Sequence, residues 1–151
     1  MSGRIPAMMM AFALTIIGTA LAAAAPQVSP IPPVPPYHSS RPTEPLPATL
    51  DPKQFPDAVN RNVYALAAKI KPVLYREPCY CGCDRDAGHL SLLDCFVDTH
   101  ASMCSTCKEE GVYAYLMTRK GKTPAQIRAG IIKGEWKNVD VTPYTSVAPP
   151  R

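Results

Sequence analysis

No segment of this 151-residue chain alternates apolar and polar residues convincingly at the two-residue period of a half-buried strand, so a sheet-based domain is not expected. Charge is sparse as well. The formal net charge is +4 with no basic run, which leaves nucleic acid without an electrostatic footprint. There is no Ser/His/Asp arrangement in a recognisable local motif, no phosphate-cradling glycine loop and no pair of catalytic carboxylates. The chemistry therefore reads as binding rather than catalysis. No cysteine closes the apolar run at the N-terminus, so a lipid-anchored lipoprotein is not supported.

What is present falls into four parts. Residues 1–25 carry one positive charge, Arg4, then an apolar run, then Ala23-Ala24-Ala25. The small-x-small ending fits a cleavable secretory signal, and an uncleaved N-terminal anchor is the alternative. Either way the remainder is expected to be exported to the periplasm or cell envelope, where thiols tend towards oxidation. Residues 26–50 include nine prolines, which lack the amide donor and fix φ. A semi-rigid, polyproline-type spacer is expected there, with His38 solvated within it. Residues 51–141 form one small domain, and residues 142–151 read as a flexible tail. A domain of about 90 residues gains only marginal stability from apolar burial, so cross-links or a metal would help it.

Three helices are legible in that domain. In "FPDAVNRNVYALAAKI" the residues Val59, Val63, Leu66, Ala67 and Ile70 recur at three- and four-residue spacing, with Pro56 and Asp57 at the start and Pro72 as the stop. A second helix is expected from about Thr99–Ser102 to Arg119, closed by Gly121. A third starts with Thr123 as N-cap, Pro124 in the first turn and Gln126 completing a capping box, burying Ile127, Ile131 and Trp136. "HLSLLDCFVD" is compatible with a helical turn or an extended piece. The fold class expected is mainly α: a small helical domain with an irregular Cys-rich loop, preceded by a Pro-rich linker.

Six cysteines dominate the chemistry. Cys79, Cys81 and Cys83 occupy alternate positions in "PCYCGC", Cys95 follows, and Cys104 and Cys107 form a CxxC. Placed on one helix, Cys104 and Cys107 would share a face that continues through Gly111, Ala114 and Thr118. Such small side chains admit another backbone, and the Cys79–Cys83 loop is the expected visitor. Near a helix start Cys104 would also feel backbone N–H groups, which favour thiolate.

Three uses compete. An even number of cysteines in an exported domain can form three disulfides, but three of them crowded into five residues are poorly spaced for independent staples. A strained CxC or CxxC pair would exchange readily with other thiols, although no βαβ pattern precedes the CxxC as in thioredoxin-type sites. Clustered thiolates also suit soft ions, with Cu(I) ahead of Zn(II) on account of the sulfur crowding. On that preferred reading Cys79, Cys81, Cys83, Cys104 and Cys107 are the metal ligands, with His89, Cys95, His100 and Met103 as accessory candidates. "CSTCK" is similar to a rare haem-attachment motif, but Lys108 stands where the axial histidine belongs, and no covalent haem is expected. "DRD" at Asp84–Asp86 reads as a polar turn, and Glu109 and Glu110 as a helix surface.

"PCYCGC", with "GHLSLLDCFV", "MCSTC" and "TPAQIRAGIIKGEW" after it, resembles a bacterial family named for the PCYCGC motif and also described as the CYCXC (seleno)protein family. The resemblance covers about residues 55–136. It implies an exported protein, and some members are thought to carry selenocysteine at a motif cysteine, which suits redox work or soft-metal capture better than passive stapling. It leaves Cys95 as a plain buried thiol or a support for the core. The expected function is Cu(I) capture or handover without catalysis. An envelope metalloprotein or membrane complex is the expected partner, and membrane contact would run only through an uncleaved N-terminal segment.

Overall fold

The computed structural model describes Gly3 and residues 33–145. The segment expected to be a signal or anchor, the first part of the expected linker and the last six residues of the expected tail lie outside the described residues. Among those described there are seven α-helical segments and no strand, so the domain is the small all-helical one its patterning predicts. None of these helices is long and apolar enough to cross a membrane.

Helix α1 spans Ala58–Lys69. Asp57 is its N-cap, its carboxylate accepting from the Asn60 amide at 2.8 Å, and Pro56 lies just before the helix. That satisfies one of the amides left unpaired at a helix start. Val63, Leu66 and Ala67 are buried along the predicted stripe. Pro72 ends α1 and opens the short α2, Lys71–Leu74, because its missing N–H costs nothing in a first turn. The Cys-rich stretch then turns through α3, Cys83–Asp86, entered by Gly82 at φ +89. "HLSLLDCFVD" resolves as a helical turn, α4, Asp94–Val97.

The second predicted helix is broken in two. Helix α5, His100–Met103, and helix α6, Ser105–Arg119, are separated by Cys104, whose backbone is extended. Cys104 is the N-cap of α6, and its sulfur accepts from the Cys107 amide at 3.4 Å. The sulfur thus takes the place usually held by a Ser or Asp oxygen at a helix start. Helix α7, Pro124–Ile132, shows the predicted capping box between Thr123 and Gln126. Ile127, Ile131 and Trp136 are all buried, as expected.

The core forms where α1 packs on α6, with α2, α5 and α7 also resting on α6. Phe55, Tyr64 and Phe96 make an aromatic run, Tyr64 meeting Phe96 edge-on at 5.2 Å between centroids. The small face of α6 receives Phe96 at Gly111, not the cysteine loop: a Cβ there would lie 2.7 Å from Phe96 Cζ. Gly130 has a similar reason, since the Tyr113 hydroxyl, bonded to Glu135 at 2.6 Å, fills the space beside it.

The described part of the Pro-rich stretch forms no helix or strand but lies against the helices. His38 is not simply solvated: its ring stacks on Tyr75 at 3.8 Å and 2°. Arg76 donates to the Ser39 carbonyl, Lys71 to the Leu46 and Pro47 carbonyls, and the Leu50 amide to Phe96 O. Carbonyls of a proline-rich segment have few amide partners of their own, so long cations on the domain can bind them. At the other end, folded contacts continue past Val141. Thr142–Thr145 forms a 3₁₀ turn, Tyr144 is 3% exposed, and its carbonyl accepts from Asn62 Nδ2 at 2.6 Å. The predicted tail therefore begins with an anchored turn.

Candidate metal centre

Four parts of the fold bring all six sulfurs together. The loop before α3 supplies Cys79 and Cys81, α3 supplies Cys83, α4 supplies Cys95, and the start of α6 supplies Cys104 and Cys107. Gly82 in the left-handed region turns the chain, so that the Cys81 and Cys83 sulfurs come within 4.8 Å, closer than the roughly 6.6 Å between alternate residues on one face of an extended strand. Cys79 Sγ lies 3.3 Å from Cys81 and 3.5 Å from Cys107. Cys81 is 3.5 Å from Cys107, and Cys83 is 3.5 Å from Cys95. A disulfide needs about 2.05 Å. All six are therefore free, in a packed cluster rather than in three staples.

Two overlapping sets have geometry that could bind a metal. In one, the sulfurs of Cys79, Cys81, Cys83 and Cys95 all lie within 4.8 Å of one another; in the other, those of Cys81, Cys104 and Cys107 join a ring nitrogen of His100 within the same limit. Thiolates at 2.3 Å from a tetrahedral ion stand about 3.8 Å apart, so only small outward shifts separate these sulfurs from a ligand shell. The expected convergence of the CYCGC loop on Cys104 and Cys107 is what the structure shows.

The accessory candidates divide. His100 Nε2 is 3.4 Å from Cys81 Sγ. His89 is buried, with Nδ1 at 3.3 Å from Cys95 Sγ and Nε2 at 3.5 Å from the Asp98 carboxylate. Cys95 is fully buried but is not a bystander, because it belongs to the first sulfur set. Met103 is different: its side chain is 84% exposed, at the end of α5 and turned to solvent. Asp84–Asp86 forms the turn of α3, as its polarity predicts.

Protonation is shared unevenly. Bonds to Cys107 and neighbouring sulfurs push the Cys79 and Cys95 thiols up, so these two keep their protons. Donation from Cys79 and then Cys95 lowers Cys81, brings Cys83 down to about 4 and brings Cys107 down to about 5. Cys104 is pushed up to about 12, chiefly by burial, despite the amide it accepts from Cys107. The thiolate favoured at the start of α6 is therefore Cys107, not Cys104. Burial acts to lower His100, but its contact with Cys81 and the charge of Cys107 outweigh this and raise it overall.

Two buried carboxyls escaped sequence reasoning. Glu110 is not a surface residue: it is fully buried, and its Oε1 accepts the Tyr80 amide at 2.9 Å, tying α6 to the centre of the motif. Burial pushes its carboxyl well above the usual range, opposed by that amide and by Cys79, so it stands neutral beside the thiolates. Its position three residues after Cys107 on α6 is the signal that could have found it. Glu77 is also fully buried, and neither of its oxygens has a hydrogen-bonding partner among the described residues. Burial pushes it up to about 8, with Arg128 and Arg76 opposing.

Fold and site together define a small, all-helical, thiol-rich protein whose Cys/His clusters could hold a metal ion. The chain belongs to the family described as "Protein of unknown function with PCYCGC motif", whose model matches residues 38–149. That match begins at His38, the residue stacked on Tyr75, so the docked stretch from His38 onward falls within it. No curated protein and no solved structure matches the chain.

Proposed function

We propose that this protein binds a soft metal ion through its clustered thiolates, and that the ion is Cu(I), captured and handed on by ligand exchange without catalysis. One observation carries the reading: six free sulfurs, each within 3.5 Å of another sulfur or of a backbone amide that orients it, converge from four parts of the fold. Soft thiolates select soft ions. Exchange needs access, and Cys81, Cys104 and His100 are only half-buried while the other four sulfurs are buried. A purely structural zinc site is closed. Handover would run through the open side, to an envelope metalloprotein or membrane complex in the extracytoplasmic setting that the N-terminal pattern favours.

A second reading has its own support. The donor sets, four cysteines in one and three cysteines with a histidine in the other, are those of structural zinc sites. The full chain, purified without oxygen, separates the readings when bound metal and free thiols are measured together by mass spectrometry. Stoichiometric copper on reduced sulfurs is the expected result. Zinc that resists exchange would replace copper by the second reading. Metal-free protein with disulfides would overturn both, and catalysis of thiol–disulfide exchange by it would install a redox role instead.

A further inference from the structure

The two donor sets share one atom, the sulfur of Cys81. Resting on the metal-binding reading above, we propose that the site holds two soft ions joined by the Cys81 thiolate, an inner ion on Cys79, Cys83 and Cys95 and an outer ion on His100, Cys104 and Cys107.

The donor arithmetic fits. Two four-coordinate ions need about eight metal–ligand bonds. Seven side chains make up the two sets, and they supply that number when one of them bonds twice. Sulfur can do this because a thiolate keeps further lone pairs after its first bond, whereas each imidazole nitrogen has one.

Cys81 touches both sets. Its sulfur lies 3.3 Å from Cys79 of the inner set, and 3.5 Å from Cys107 and 3.4 Å from His100 Nε2 of the outer set. Cys79 also lies 3.5 Å from Cys107, but it belongs to the inner set alone. Placed between the sets, Cys81 would be split between two ions without moving far.

The two ions would not be equivalent. The inner set apart from the bridge is at most 3% exposed, whereas two of the three outer donors, His100 and Cys104, are half-buried. The inner ion ties the motif loop and α3 to α4 and so holds the fold. The outer ion is the one a competing ligand can reach, and it is the cargo in any handover.

The test uses the reduced, metal-free full chain titrated with Cd²⁺ enriched in a spin-half isotope, a soft probe that populates thiolate sites. Bound equivalents are counted by native mass spectrometry and the ions are observed directly by NMR. Two equivalents are expected, giving two resonances of equal intensity. The all-sulfur site should lie to the deshielded side of the site with one nitrogen, and each resonance should be split by the other through the shared sulfur. Cys81→Ser should abolish the mutual splitting. His100→Ala should leave the inner resonance in place and lower retention of the outer ion at least tenfold in chelator competition. A single equivalent, or two resonances with no mutual splitting in the unmutated chain, overturns the bridged pair while metal binding stands. No bound cadmium overturns metal binding itself. The wild-type spectrum alone decides the matter if Cys81→Ser fails to fold.

Discussion

Glu110 is the residue on which the site's shape turns. A carboxyl with no exposed surface is tolerated only if it is neutral or paired, and Glu110 is held neutral while accepting the amide of Tyr80. That amide lies between Cys79 and Cys81, so the bond fixes the backbone from which both sulfurs project. Glu110→Gln keeps an acceptor oxygen and removes the option of charge; it is expected to leave metal stoichiometry unchanged and stability within about 1 kcal/mol. Glu110→Ala leaves the Tyr80 N–H unsatisfied in the core and opens a cavity. It should cost about 2–4 kcal/mol in denaturant unfolding and loosen metal retention. Equal losses for both variants would refute the positioning role.

At the scale of elements, the domain is built from one long helix, α6, on which shorter pieces rest. The approach of α4 depends on Gly111. A methyl group there would lie 2.7 Å from Phe96 Cζ, and that ring is fully buried with its neighbour Tyr64 edge-on to it. Gly111→Ala is therefore expected to destabilise by about 1–3 kcal/mol despite the better helix propensity of alanine. Because α4 also carries Cys95, the same change should shift the inner sulfur set, and thermal unfolding with thiol reactivity of Cys95 checks both effects. Unchanged stability would show that α4 can move away freely. The break at Cys104 belongs to this scale too. An unbroken helix would leave Cys104 on its face, whereas the extended backbone makes it a cap that turns its sulfur onto the first turn of α6.

For the whole molecule, the centre lies within the apolar core. The motif loop, α3, α4 and the start of α6 meet there at sulfur, beside the packing of α1 on α6. A ligand that binds only the folded state, present at a hundredfold its dissociation constant, adds about 2.7 kcal/mol. In a domain of this size each kcal/mol moves the midpoint by roughly 4–8 °C. Stripping metal from the reduced chain should therefore lower its melting temperature by about 10 °C or more by circular dichroism, and restoring metal should recover it. No change would mean that the sulfurs do not hold a bound ion in the folded state. The Pro-rich stretch acts at the same scale. Pro35 and Pro36 line a crevice with Cys79, Cys83 and His89, so the docked segment shields the inner sulfur set on that side.

Much of this was written in the chain in local code. The stripe from Val63 to Ile70, the stop at Pro72 and the Thr123–Gln126 capping box are set by neighbours in sequence, because helix geometry and capping depend on residues within about four positions. The cysteine spacing likewise pointed to a shared cluster rather than separate staples. Tertiary structure decided the rest. Glu110 joins the site, Cys95 moves from accessory candidate into a donor set, Met103 lies exposed to solvent, and Phe96 rather than the cysteine loop fills the gap at Gly111. These outcomes depend on which faces meet across twelve or more residues of chain, and a solvated or buried carboxyl, or a reachable or remote thioether, looks identical in the local pattern. The sharing of Cys81 between two donor sets is of the same kind: it is a property of three segments brought together, and no one of them contains it.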